Sequence, residues 1–211
     1  MNPTPADWKP ASAAVLSAAA ASAATDGVEA DKLIAQLQSQ DENVRGEAWQ
    51  GAATVGWSGV KPIALLMTHQ DLEIARAAKR ALWKIVRHAG RPKAEKERQS
   101  VQAELVALLK APPATVQCEA AWMLSEIGDA SSVQELARQL KQIEVREAAR
   151  CALERLPGPR AIRALKQALK SAPEDFRPAL ASSLRARGRK VADYANQKLH
   201  PSRKTTVEAK S

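Results

Sequence analysis

The stretch Glu144–Pro157, EVREAARCALERLP, decides how the rest of the chain reads. It recurs as NVRGEAWQGAATVG from Asn43, EIARAAKRALWKIV from Glu73, TVQCEAAWMLSEIG from Thr115 and DFRPALASSLRARG from Asp175. With Val44, Ile74, Val116, Val145 and Phe176 as anchors, the steps are 30, 42, 29 and 31 residues. A repeat of that length is the signature of stacked supersecondary units.

The copies agree column by column. Four residues past the anchor stand Ala48, Ala78, Ala120, Ala149 and Leu180; eight past stand Ala52, Leu82, Leu124, Leu153 and Leu184. Eleven past come Val55, Ile85, Ile127 and Leu156, with Arg187 breaking the column in the last copy. These offsets fall on one side of a 3.6-residue helix, so each copy reads as an amphipathic helix with a small residue where a neighbour approaches. Upstream of the anchors, the pairs Leu33 and Leu37, Ile63 and Met67, Leu105 and Leu109, and Leu165 and Leu169 mark a shorter first helix; Leu136 and Leu140 are displaced by two positions. Each unit is thus expected to be a helical hairpin.

The turns carry their own signals. Asp41 and Asp71 stand where an N-cap is needed, and Pro113 and Pro173 occupy the same position in other copies. Glu144 and Asp175 are expected in the first turn of the second helix, facing its free N–H groups. Gly56, Gly128, Pro157 and Gly188 are expected to stop the second helices.

The pattern running from Val145 and Arg146 through Leu153, and from Ala120 and Ala121 through Gly128, resembles the HEAT repeat, in particular its short bacterial form also found in phycobilisome lyases. The resemblance covers about 28–190 and implies an all-α, right-handed α-solenoid of about five hairpins. The expected units are 28–57, 59–89, 101–128, 130–157 and 159–188, with a basic insertion at 90–99 read as an exposed loop or helix extension. An alanine- and serine-rich arm precedes them at 1–27, and a basic tail follows at 191–211. Functionally, the resemblance implies a binding scaffold, while such solenoids also occur in bilin lyases and in a class of DNA glycosylases.

Charge is unevenly placed. The formal net charge is +9, yet Lys79–Arg98 and Arg185–Lys204 each carry +6, leaving −3 for the remainder. Binding of nucleic acid through residues 79–98 and 185–204 is therefore the alternative to a protein partner. A bilin-lyase-like role is a second alternative. Basic tails and solvated helix faces explain the same charge without any partner.

At 100° per residue, offsets 2, 6, 9 and 13 point away from the hairpin partner. In HEAT-like stacks that side lines the concave surface. The strip reads Gly46, Gln50, Ala53 and Trp57 in the first unit, then Arg76, Arg80, Trp83 and Arg87, and holds Cys118 and Trp122 in the third, Glu147, Cys151 and Glu154 in the fourth, and Arg185 and Arg189 in the fifth. Tryptophan and arginine dominate interface hot spots, so Arg76, Arg80, Trp83, Arg87, Trp57, Trp122, Arg185 and Arg189 are the candidate partner-binding residues. The structural alternative is that neighbouring repeats half-bury these rings; for Trp49, at offset 5, inter-repeat packing is the expectation. Asp129, Glu147 and Glu154 turn the strip acidic in units three and four, which suits a protein with alternating charge better than a uniform polyanion.

Catalytic chemistry has little footing in the sequence. His69, His88 and His200 are scattered, and HExxH, GxSxG, CxxC and a phosphate-cradling glycine loop do not occur. Neither a cofactor, a metal nor a small-molecule substrate is implied. Cys118 and Cys151 lie on neighbouring helices about 9 Å apart, too far for the roughly 7 Å Cα limit of a disulfide, and free thiols fit a cytoplasmic setting. Export through residues 1–24 is the alternative, although MNPTPADWKP lacks the positive start of a signal peptide. No apolar run is long enough to span a bilayer.

Overall fold

The structure, a computed structural model, describes residues 27–110 and 113–195. The arm before residue 27, with the export alternative attached to it, lies outside the described residues, as do His200 and the part of the second basic region from 196 onward. The described chain is helical, with no strand. The helices are α1 (27–37), α2 (Glu42–Gly51), α3 (Val60–Leu66), α4 (Leu72–Ala89), α5 (Glu95–Leu108), α6 (Ala114–Ile127), α7 (Val133–Gln139), α8 (Arg146–Arg155), α9 (Pro159–Ser171) and α10 (Arg177–Ala186).

Their packing is that of an α-solenoid. Hairpins close through α3 on α4, α5 on α6, α7 on α8 and α9 on α10. Second helices stack in sequence, α2 on α4, α4 on α6, α6 on α8 and α8 on α10, while α3 meets α5 and α7 meets α9 in the other layer. The repeating columns are the reason. Ala48, Ala78, Ala120, Ala149 and Leu180 are buried, and so are Ala52, Leu82, Leu124, Leu153 and Leu184. Alanine at the fourth position lets two backbones approach, and each leucine removed from water contributes about 1.5–3 kcal/mol. One core therefore runs through the stack from Leu33 to Leu184.

Capping sets where the second helices begin. Asp41 accepts from the Asn43 N–H at 2.8 Å, and Asp71 from those of Glu73 and Ile74. The Glu73 N–H bond is the main reason the Asp71 carboxyl is held below its usual range. Glu144 and Asp175 correct the expectation. Helices α8 and α10 start later, with Val145 and Phe176 at their N-caps, so both carboxylates stand outside the first turn. Asp175 pairs instead with Arg146 of the preceding unit, whose guanidinium also lies over the Phe176 ring. In the insertion, residues from Glu95 onward are helical and lengthen α5, and Lys93 adopts a positive φ of 68° in the turn before it.

Arg187, the exception in the apolar column, has a positive use. Its guanidinium donates to the carbonyls of Leu153, Glu154 and Leu156 and to that of Gly158, closing the C-terminal end of α8. The Leu153 and Glu154 carbonyls lie in the last turn of α8, where intrahelical partners run out, at the negative end of the helix dipole. Gly188, at φ 69°, ends α10 in a left-handed turn, with the Arg189 N–H donating to Leu184 and that of Gly188 to Arg185. Arg187→Met keeps the length and removes the donors; we expect it to lower stability by about 2 kcal/mol in urea denaturation.

A polar cluster ties α5 to the link between α6 and α7. The buried Gln102 amide donates to Asp129, Ser131 and Ser132, and Arg98 donates to the Ile127 carbonyl and lies 3.6 Å from Asp129. Burial alone would raise the Asp129 carboxyl, but bonds from Gln102 and Ser131 bring it below its ordinary 3.8. A lowered native value means that the stabilisation is complete above 3.8 and is lost as pH falls through the native value. Asp129→Asn should therefore flatten the acid limb of the stability profile, measured by denaturation between neutral and acid pH.

Candidate functional site

The sequence places five cations on one helix, and α4 presents all of them outward. Arg76, Lys79, Arg80, Lys84 and Arg87 are exposed, while Ile74, Ala78, Leu82 and Ile85 on the same helix are buried. Together with Trp49 and Trp83 these cations line a groove of about 350 Å³. Trp83 is half-buried against the core, and its Nε1 donates to Glu119 Oε2 on α6 at 3.3 Å, which fixes the ring. Over that ring, at 5.1 Å, lies the Arg87 guanidinium. Arg80 and Lys84 lie over Trp49 at 5.4 and 5.8 Å.

Electrostatically the five divide into two sets. Arg76 pairs with Glu73, and Lys79 with Glu119. Among the described residues no carboxylate forms an ion pair with Arg80, Lys84 or Arg87. Each is held in place by an indole rather than by an opposite charge, an arrangement that orders a cation without neutralising it.

A second hollow adjoins the groove. It measures about 570 Å³ and opens between the N-terminal ends of α4 and α6 and the turn before α8. Met67, Leu72, Ala75 and Ala114 supply its apolar walls, Cys118 lines it, and Arg76 and Lys79 belong to both depressions. The Cys118 thiol donates to the Glu144 carbonyl at 3.3 Å and is pushed up by burial and then by Glu119. Cys151 is likewise raised, chiefly by burial. Both cysteines are free, and neither environment favours a thiolate at neutral pH.

The other candidate residues are dispersed. Trp57 is 41 % exposed but sits in the 3₁₀ turn Gly56–Gly59 after α2, and Trp122 is 39 % exposed on α6; neither lines the groove. Arg185 donates to the carbonyls of Val191, Asp193 and Tyr194, so its guanidinium gathers the chain that follows α10. Arg189 is exposed at the end of α10. Glu147, Arg150, Glu154 and Ser183 bond to one another and join α8 to α10. Reading by offsets missed three groove residues, Trp49, Lys79 and Lys84. The signal for Trp49 was the stacking itself, since a ring on the flank of α2 faces the next second helix.

A family profile described as HEAT repeats matches residues 102–185. Over that stretch the sequence is similar to HEAT repeats. The matched HEAT stretch begins within α5 and ends in α10, and α4 packs directly against its first second helix, α6. An engineered protein of known crystal structure is similar at 23 % identity over 74 % of this chain and 78 % of that one, with a TM-score of 0.39. No curated protein matches the chain. Among the described residues, no helix is long and apolar enough to cross a membrane.

Proposed function

We propose that this HEAT-repeat chain is a non-catalytic scaffold that holds a protein partner on the outer surface of its second helices, with an acidic segment of the partner lying along α4 from Arg76 to Arg87. HEAT repeats generally serve as protein-interaction scaffolds. The observation that carries the finer reading is the trio Arg80, Lys84 and Arg87, exposed, laid on indoles and unmatched by carboxylates. Cations already ordered by a ring lose less freedom when an anion arrives.

Three features favour an acidic protein segment over nucleic acid. Arg76 to Arg87 spans only about 16 Å at 1.5 Å per residue. On the neighbouring second helix Glu126 is exposed and forms no ion pair among the described residues, so it opposes a longer polyanion. The groove tryptophans lie beneath their own cations, so bases would have to displace these before stacking. In the second basic region, Arg185 and Arg187 bond to backbone carbonyls of the chain.

Fluorescence anisotropy separates the two partner classes. A labelled polyglutamate peptide long enough to cover Arg76–Arg87 should bind saturably at physiological salt, and a labelled DNA duplex should bind more weakly. Duplex binding with a steep loss of affinity as salt rises, and no binding of the peptide, would overturn the reading.

A further inference from the structure

The strip along α4 does not account for the apolar hollow at its N-terminal end. We infer that this hollow seats an apolar side chain of the partner, of leucine size, so that the recognised segment is an acidic run with an apolar anchor at one end. The inference rests on the acidic-segment reading and adds to it the residue that sets register.

Two independent observations point to an apolar occupant. The first is the lining. Leu72, Ala75, Met67 and Ala114 face a space of about 570 Å³, and Leu72 is 66 % exposed although it opens α4, a place where folding asks only for a cap and Asp71 already supplies it. The second is the column to which Leu72 belongs. Two residues before each anchor the chain reads Glu42, Leu72, Ala114, Ile143 and Glu174. The end copies carry a carboxylate, of which Glu42 lies in the first turn of α2, whereas the three middle copies are apolar. Ile143 is 73 % exposed, so burial within the fold does not explain the choice. An exposed leucine at the mouth of an apolar hollow marks a surface built to be covered.

Charge complementarity fixes the kind of occupant. Arg76 and Lys79 line both hollow and groove, so a side chain in the hollow continues directly into a backbone lying on the cations. An all-acidic segment would leave the apolar walls wet. An all-apolar one would leave Arg80, Lys84 and Arg87 unmatched.

The test uses the whole chain and two pairs of polyglutamate peptides, one pair with leucine at either end and the other with serine in its place. The better leucine peptide should bind about tenfold tighter than its serine counterpart, the gain expected from burying most of a leucine side chain. It alone should slow alkylation of Cys118 by iodoacetamide. In Leu72→Ser, an exposed position whose change leaves the core intact, the leucine advantage should vanish while the serine peptides bind as before. Equal affinity of leucine and serine peptides, or an advantage that survives Leu72→Ser with Cys118 unprotected, overturns the anchor and leaves the acidic strip standing. Failure of every peptide to bind overturns the strip itself, and the anchor with it.

Discussion

Gly128→Ala is expected to destabilise the protein by about 3 kcal/mol, the upper part of the range for forcing an added methyl into a packed site. The backbone there has φ −70°, which alanine adopts without strain, so conformational freedom is not the issue. Space is. A methyl at this position would clash with the Leu124 carbonyl oxygen and would stand 2.9 Å from Leu156 Cδ2 and 3.2 Å from Ser132 Oγ. The leucine methyl could give way, but the carbonyl accepts the Gly128 N–H at 2.8 Å as the last bond of α6 and cannot. The substitution must therefore open either the end of α6 or its contact with the next unit. A fall in the urea midpoint with an unchanged m value would show lost stability with cooperative unfolding retained. Gly46→Ala makes the control, since nothing lies within 4 Å of a methyl there.

The second large effect is on binding. Arg80→Glu together with Arg87→Glu should weaken polyglutamate binding by about a hundredfold, because two of the three cations unmatched by carboxylates become like charges facing the ligand. Stability should change far less. Both side chains are exposed and make no ion pair among the described residues, so the loss is confined to two cation–indole contacts of about 0.5–1 kcal/mol each. Circular dichroism and thermal melting would separate the two outcomes. A binding loss that tracks a matching loss of fold would mean that the arginines support structure rather than a partner.

Much of this architecture could be read from spacing alone, because the information is periodic. The columns of Ala78 and Leu82 repeat in every copy with only small changes, and that of Ile85 in all but the last, and a helix has only one way to place such columns. What escaped was set between copies. Arg187 looks like damage to an apolar column until its guanidinium is seen closing the end of α8, an event some thirty residues away in the chain and adjacent in space only after stacking. Glu144 and Asp175 were misplaced because the turns before α8 and α10 are wound further than those before α2 and α4, where an aspartate fixes the start. The apolar hollow has no local signature at all, since it takes its walls from three separate turns. Trp83 could be singled out by its offset, yet the groove needed Trp49 from a neighbouring unit to hold Arg80 and Lys84.

The indole N–H resonances give the most direct test of the claim that the face of α4 is the contact surface. They can be followed by proton–nitrogen correlation spectra as polyglutamate is added to the whole protein, with assignments from single Trp→Phe variants. The Trp83 and Trp49 signals should move together and saturate, while those of Trp57 and Trp122 stay in place. Movement of Trp57 or Trp122 with Trp83 and Trp49 unaffected would contradict it.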